Sequence, residues 1–417
     1  MPLMPSKNEI TAPYKIYGED NIEHGALTQF YDMMKLECTI KGALMPDAHH
    51  GYTLPIGGVL ATRDTIFPSM VGFDIGCGMG ALKLPYKKHE IEQYRKDIFD
   101  SIYRSVPTGV GGKNTHRRSK PIEDWDYNHL SRSNFLDNIM LNGGLADLAT
   151  LGSGNHFIEI GHDKNNDVWV IIHSGSRGVG HKTATHWMSL ACEGDKPKDG
   201  PYGFDTASEN GMLYTLDMEF CLEFALENRK RMMQRVVKEI AHYCKGDRKI
   251  DWDNLINRNH NHAEYSHKLD AVIHRKGATH AAKGMMGVVP GNMRDGSFIV
   301  KGFGASDSMN SSSHGAGRKL SRTKAKEKLT MERFVIQMKG ITAKVETGTI
   351  DESPNAYKDI FHVMDLQHEL VEIIAHVKPL INIKAVNRSR GNRNKKKKVM
   401  TEQMRKQEAD QQLNDCL

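Results

Sequence analysis

In the stretch MPDAHHGYTLPIGGVLATRDTIFPSMVGFDIGCGMGALKL, residues 45–84, glycines stand at 51, 57, 58, 72, 76, 78 and 80. A glycine inside a helix costs roughly 0.5–1 kcal/mol relative to alanine, so this density argues against a helix and fits strands joined by tight turns with close backbone approach. The stretch also holds Asp74-Ile-Gly-Cys77, an acid and a thiol among glycines. Beside Asp74, Cys77 reads better as a metal ligand than as a small buried hydrophobe.

Outward from there, the chain alternates strand and helix signals. Val168–Ile172 (VWVII) is a β-branched and aromatic run ending at His173, followed at once by Ser-Gly-Ser-Arg-Gly, which places His173 at the end of a strand. Ser297–Val300 (SFIV) reads as another strand. From about Tyr214 to Cys244, apolar residues recur from Met218 to Ile240 at helical spacing, which predicts a long amphipathic helix with its methionines filling core. A second helix is predicted from Gly315 into SRTKAKEKL, and a third over Phe361–Val377 with Met364, Leu366, Leu370, Ile373, Ile374 and Val377 as its stripe. Val106–Lys120 reads as a basic loop whose Lys113, Arg117, Arg118 and Lys120 are available to phosphates or simply solvated.

The length of 417 residues allows one large domain or two ordinary ones. The net charge of +6 suggests a polyanion partner, but nine Lys/Arg against four Asp/Glu lie between Ala385 and Leu417. Nucleic-acid binding by the body must therefore rest on a local basic patch. Residues 385–417 contain almost nothing to bury and read as a basic flexible tail. No run approaches the roughly 18 apolar residues of a membrane span, and MPLMPSKNEI lacks the apolar core of a secretory signal, so a soluble cytoplasmic protein with no membrane partner is expected. Six scattered cysteines without a C-x-x-C pair argue against a disulfide scaffold or a Cys-only zinc module.

With 21 histidines, context must select among them. Four places combine His, Cys or Asp with glycine-rich, apolar surroundings: Asp74 to Cys77, Asn155-His156, His173 and His260-Asn261. A carboxylate, a thiolate and three imidazoles suit Mn²⁺, Zn²⁺ or Co²⁺ better than Mg²⁺ or Ca²⁺. Five ligands can serve two ions bridged by Cys77, the clamp used for entering and leaving oxygens in phosphoryl chemistry. In SMNSSSHGAGRKLSRTKAK, a helix starting at Gly315 would turn unpaired N–H groups toward an anion on His314, with Arg318 neutralising developing charge. The alternative reading makes His314 a neighbour of the helix cap. GVGGKNT is not a Walker A loop, because Pro107 and Asn114 occupy its Gly and Ser/Thr positions, and no G-x-G-x-x-G opens a helix after a strand.

The blocks MPDAHHGY, VGFDIGCGMGAL, LGSGNHFIE, HSGSRGVG, HRKGAT, PGNM, SHGAGR and AYKD stand in the order, and near the spacing, of the RtcB family of RNA ligases, which the chain resembles from about Ala12 to Lys384. The resemblance implies an α/β (α+β) fold: one compact domain over residues 1–384, with β-sheets around a central metal pocket and flanking helices near 214–244 and 361–377. It implies a GTP- and Mn²⁺-dependent ligase, with two ions, that joins RNA ending in a 3′-phosphate or 2′,3′-cyclic phosphate to RNA with a 5′-hydroxyl. His314 would take guanylate from GTP and pass it to the RNA 3′-phosphate, and the 5′-hydroxyl would then displace GMP. The implied metal ligands are Asp74, Cys77, His156, His173 and His260; His262 and His274 compete for the last place, but only His260 precedes an asparagine. Guanylate contacts carry over to Asn155, His156, Phe157, Ile158, Glu159, His260, Asn261, Pro290, Gly291, Asn292, Met293, Ser297, His314, Gly315, Ala316, Gly317, Tyr357 and Lys384. Arg177 and Arg318 match positions expected to bind RNA phosphates, and an archease-like activator stands among the partners the resemblance suggests.

Two departures qualify it. The family usually shows Pro-Gly-Ser-Met-Gly where this chain has Pro-Gly-Asn292-Met-Arg294-Asp295, and it commonly stops just after the lysine matched by Lys384. The same ligand set would also serve a metal-dependent phosphodiesterase or phosphatase working without GTP, or a closed structural metal site in a non-catalytic RNA-binding protein.

Overall fold

Where glycine density argues against a helix, the chain forms strands. In the computed structural model, which describes residues 9–109, 111–114, 124–193, 200–245 and 248–386, residues 45–84 run through strands Thr39–Tyr52 and Leu54–Thr62, one helical turn at Pro68–Val71 and the start of strand Gly78–Lys87. The smaller of the two principal sheets has the order Tyr14–Ile16, Thr39–Tyr52, Leu54–Thr62, Ala271–Lys276, Asn261–Ser266. The larger runs Met286–Pro290, Ser297–Gly302, Val371–Lys384, Phe157–His162, Asp167–Ser174, Gly78–Lys87, Ile256–Asn259, with antiparallel neighbours throughout.

Successive side chains on a strand face opposite sides. On one face of the larger sheet Met79, Ala81, Phe157, Ile171, Ile256, Val288, Ile299 and Val377, drawn from all seven strands of that path, pack on one another. Its first strand, Met286–Pro290, also packs against Ile256–Asn259 at the far end, so the sheet curls into a nearly closed barrel around this cluster. On the outer face Ile158, Ile160, Val170, Ile172 and Ile381 meet helical residues such as Met218, Phe224, Met233 and Val236. The last four belong to the long helix Glu209–Cys244, which spans the predicted stretch and is capped by Ser208, whose hydroxyl accepts from Gly211 N–H. Burying a Phe or Leu side chain contributes about 1.5–3 kcal/mol, so this seam fixes the helix against the barrel.

Two predicted helices are corrected. Over 361–377 the helix is confined to Ile360–Asp365, and Val371–Lys384 is a strand. A short helix followed by β-branched Val371, Ile373 and Ile374 mimics one long helical stripe, and pairing on both sides with Ser297–Gly302 and Phe157–His162 decides for strand. No helix starts at Gly315: the helix is Arg322–Lys328, capped by the Ser321 hydroxyl, and Arg318 lies in a bridge to Tyr357. The predicted strands ending at His173 and covering Ser297–Val300 are Asp167–Ser174 and Ser297–Gly302. Arg117, Arg118, Lys120 and the tail beyond Val386 lie outside the described residues. Among the described residues, no helix is long and apolar enough to cross a membrane.

Candidate functional site at the barrel mouth

At one end the barrel interior turns polar. On the inward face His173 pairs in register with Phe157 and Met79, Glu159 with Ile171 and Asn382, and Lys384 with Phe157. The apolar lining therefore ends in Phe157, Glu159, His173, Asn382 and Lys384. The remaining groups arrive from turns just outside the strands. Cys77 precedes Gly78–Lys87 and its N–H donates to Asp74 O (3.0 Å); His156 precedes Phe157–His162; His260 sits between two strands, its N–H donating to Cys77 O (2.7 Å). A Cβ on Gly175 would collide with the Asp74 carboxylate, so the turn after His173 needs glycine there.

These turns bring together all five ligand candidates. Cys77 Sγ lies 3.2 Å from His173 Nε2 and 3.4 Å from His156 Nε2; His156 Nε2 lies 2.9 Å from Asp74 Oδ2, and His173 Nε2 lies 3.4 Å from His260 Nε2. They form two triplets, Cys77–His173–His260 and Asp74–Cys77–His156, that share the sulfur. His262 and His274 are held elsewhere, by Arg275 and by the Phe67 N–H.

The hydrogen bonds behind the cluster suit it to a cation. His156 Nδ1 faces Leu151 O at 3.1 Å and His173 Nδ1 faces Asn155 O at 3.3 Å. A carbonyl can only accept, so each Nδ1 carries a proton and each Nε2 faces the centre, where a bound cation would take its lone pair, the arrangement that orients imidazole ligands. Burial, then neighbouring cationic groups, hold His173 and His260 well below the usual histidine range, which keeps both neutral. Burial alone would raise Asp74, but adjacent His156 overrides it and holds the carboxyl below its usual range. Burial followed by Asp74 pushes the Cys77 thiol well up, a preference that a divalent cation inverts. Three imidazoles, a thiol and a carboxylate, nearly all buried, fit a borderline transition ion.

The long helix holds this arrangement from outside. Arg229, fully buried, donates to Gly76 O (2.9 Å), Ser174 O (2.8 Å), Asn257 Oδ1 (2.7 Å) and Asn259 Oδ1 (2.6 Å). Its neighbour Asn228 donates to Thr150 O and Gly175 O. Two consecutive helix residues thus tie down the turns carrying Cys77 and His173. Arg177, first residue of the helix Arg177–Ala191, holds φ +61°, a left-handed conformation costing a non-glycine residue about 1–3 kcal/mol. Its guanidinium donates to Thr150 Oγ1, and Asp74 and Asp147 partly offset its burial.

His314 stands beside the cluster, its ring centre 5.0 Å from that of His260. Its Nδ1 lies 2.7 Å from Oδ2 of buried Asp47, which also accepts from the backbone N–H groups of His314 and Gly315 at 3.2 Å. Ala316 N–H donates to Pro290 O. The amides expected to face an anion are therefore spent inside the protein, two of them on a carboxylate that favours the proton on Nδ1 and leaves Nε2 as the free nitrogen. Gly317 has φ +73°, and a Cβ there would strike the Asp47 carbonyl, so this close approach requires glycine.

His314 lines two cavities. The first is walled by Asn155, Phe157, Glu159, His173, Pro290, Gly291, Asn292, Met293, Gly296, Ser297, Tyr357, Asn382 and Lys384. The second is walled by His49, Tyr52, Asp74, Cys77, His260, Asn261, Lys276, Arg318, Arg322 and others. In the first, burial raises Glu159 to about 8 against the opposing effect of hydrogen bonds from Ser297 and Asn382. Between the cavities buried Glu352 accepts from Tyr357 OH (2.6 Å), Lys384 (2.7 Å) and Arg318 (3.3 Å) and pairs with Arg322; burial would raise it, yet these cations hold it near 2.

Of the residues assigned to guanylate by resemblance, Asn155, Phe157, Glu159, Pro290, Gly291, Asn292, Met293, Ser297, His314, Tyr357 and Lys384 share the first cavity. His156 belongs to the ligand cluster, while His260, Asn261 and Gly317 line the second cavity. Ile158 turns to the outer face and its core, and Ala316 is packed in another core cluster. Gly315 N–H is held by Asp47. Arg318 spends most of its donors on Leu320 O, Asp351 O, Glu352 and Tyr357. In the divergent loop, Asn292 Oδ1 accepts from the N–H groups of Arg294 and Asp295, so asparagine closes that turn on itself.

Residue reading passed over Asp47, Lys276, Arg322, Glu352 and Asn382. Asp47 and Lys276 stand inside quoted motifs, which is the signal that could have found them. Lys276 is buried, donates to Tyr52 O and Ser69 O, and is lowered by burial to about 7. Glu352 and Asn382 have no local sign in the sequence, because only strand register and folding back of the chain bring them to the site.

The sequence model of the family described as tRNA-splicing ligase RtcB matches residues 29–385. The RNA-splicing ligase RtcB of Escherichia coli K12 is 31% identical over 407 residues, covering 89% of this chain and 97% of that protein. The tRNA-splicing ligase RtcB of Nanoarchaeum equitans is 29% identical over 462 residues, covering 91% and 97%, and that of Thermococcus kodakarensis 27% over 451, covering 88% and 94%.

Proposed function

Because this chain belongs to the RtcB family and is an RNA ligase by that membership, we propose that it joins RNA 3′-phosphate or 2′,3′-cyclic phosphate ends to 5′-hydroxyl ends, using GTP and Mn²⁺, through a guanylylated His314. The observation that carries the reading is the position of His314 in the wall of both cavities, one with a buried acid and an aromatic ring and the other with the ligand cluster.

In this reading the first cavity takes the guanine. Phe157 supplies a ring face, Glu159 accepts from the base N–H groups, and Lys384, held by Glu352 and Asn155 O, donates to the base oxygen. Asp47 orients His314 so that Nε2 attacks the α-phosphorus of GTP, forming an N–P bond as pyrophosphate leaves. A 3′-phosphate oxygen of the RNA then displaces His314 to form an RNA–guanylate anhydride, and the 5′-hydroxyl attacks the RNA phosphorus, releasing GMP; a cyclic phosphate is opened by water beforehand. Arg318 and Arg322 bring positive charge to the RNA phosphates at the second cavity, and Arg177, buried near Asp74, adds its charge from behind that wall. Asp74, Cys77, His156, His173 and His260 would hold two Mn²⁺ ions, which supply Lewis-acid polarisation of phosphoryl oxygens. RNA is the substrate class that the family implies, and an activator of the archease kind is a further partner in this reading.

A joining assay tests this. RNA with a 3′-phosphate or cyclic phosphate, mixed with 5′-hydroxyl RNA, is sealed only when GTP and Mn²⁺ are both present. Hydrolysis of the cyclic phosphate with no sealing and no need of GTP would instead establish a metal-dependent phosphodiesterase.

A further inference from the structure

We propose that Asn382 is a specificity-determining residue that reads the 2-amino group of guanine beside Glu159; this deepens the GTP reading above and rests on it. Asn382 stands in the strand Val371–Lys384 directly opposite Glu159. It is 2% exposed and lines the first cavity. Its Nδ2 donates to Glu159 Oε2 at 3.3 Å. Its Oδ1 is buried and has no partner among the described residues.

The rest of this corner is satisfied from within. Glu159 Oε1 accepts from Ser297 Oγ (3.1 Å), and Lys384 donates to Glu352 and Asn155 O. Native proteins leave few buried acceptors without a donor. An ionised Glu159 can only accept, so it requires the Nδ2 side of the amide and turns Oδ1 away from itself. Among the described residues of this corner, what Asn382 Oδ1 lacks is therefore a hydrogen-bond donor.

Guanine supplies a surplus of donors on one edge: N1–H and two protons on the 2-amino group. A carboxylate engages N1–H and one amino proton together, and the second amino proton needs another acceptor. Asn382 Oδ1 sits beside the carboxylate that would take the first pair. Inosine lacks the 2-amino group and leaves Oδ1 unpaired; adenine offers no proton at N1.

The test compares label transfer onto the full-length protein from α-labelled GTP and α-labelled inosine triphosphate near pH ~9, where Glu159 is ionised. For Asn382→Ala the account expects GTP to lose about tenfold more than inosine triphosphate, the scale of one buried hydrogen bond. Should thermal melting show that this variant does not fold, Asn382→Ser serves with the same expectation. A parallel loss with both nucleotides would mean that Asn382 only props Glu159, and an unchanged ratio would mean that it reads nothing; either overturns the proposal. A wild-type protein labelled by neither nucleotide overturns the GTP reading itself, which is distinguishable from failure of Asn382 alone.

Discussion

Half-buried His314 and fully buried Asp47 form a pair in which the carboxylate also holds the backbone N–H groups of the histidine and of Gly315. Asp47→Asn keeps the size but removes the charge that fixes the Nδ1 proton. Label transfer from GTP is expected to fall about 10²–10⁴-fold, with the Mn²⁺ content of the protein unchanged; equal loss of bound metal would show that Asp47 acts on the cluster instead. Glu159 gives a pH signature. Burial raises its carboxyl to about 8, so below that pH the empty cavity holds the protonated acid, which cannot accept two base N–H groups. Guanine donors favour the ionised form, so binding releases a proton, and GTP should bind more tightly as pH rises from about 6.5 toward 8.5. Calorimetry across that range would show a flat profile if Glu159 does not face the base, and Glu159→Gln should flatten it in any case. At this scale much was legible in the sequence: Asp74, Cys77, His156, His173, His260 and His314 all stand in motifs dense in glycine or histidine. Glu352 and Asn382 were not, because a lone acid or amide acquires meaning only from what the fold sets against it.

The elements show where periodicity helps and where it misleads. The stripe from Met218 to Ile240 reads correctly as a helix because it is long and has one apolar face along its length. The stretch 361–377 was misread because a six-residue helix and a β-branched strand together imitate a helical period, and partners far along the chain decide between them. The helix expected at Gly315 does not form because Gly317 turns into the left-handed region and Arg318 pairs with Tyr357 as an isolated bridge. What Arg229 does could not be read from the helix pattern, since it lies on the buried face and, among the described residues, makes no ion pair and bonds instead to carbonyls and amides of the site turns. Arg229→Met leaves those acceptors buried without donors. A loss of about 3–5 kcal/mol in unfolding free energy is expected, read from denaturant melts, together with weaker Mn²⁺ binding. A variant as stable as the parent would show that the helix does not brace the cluster.

Across the whole molecule, the barrel sets one end of its interior against turns from outside the sheet, and two cavities meet there at one imidazole. Cys77 belongs to both ligand triplets, so substitutions should divide by stoichiometry. The parent should bind two Mn²⁺ per chain, His156→Ala and His260→Ala one each, and Cys77→Ala close to none, as counted by metal analysis after gel filtration. Equal loss in all three variants would point to a single ion. The direct test of the central claim is to incubate the protein with GTP and Mn²⁺, digest it, and locate the adduct by mass spectrometry. The account predicts one GMP, bonded to nitrogen on the peptide containing His314 and absent from His314→Ala; GMP on another residue, or undiminished labelling of that variant, would contradict it.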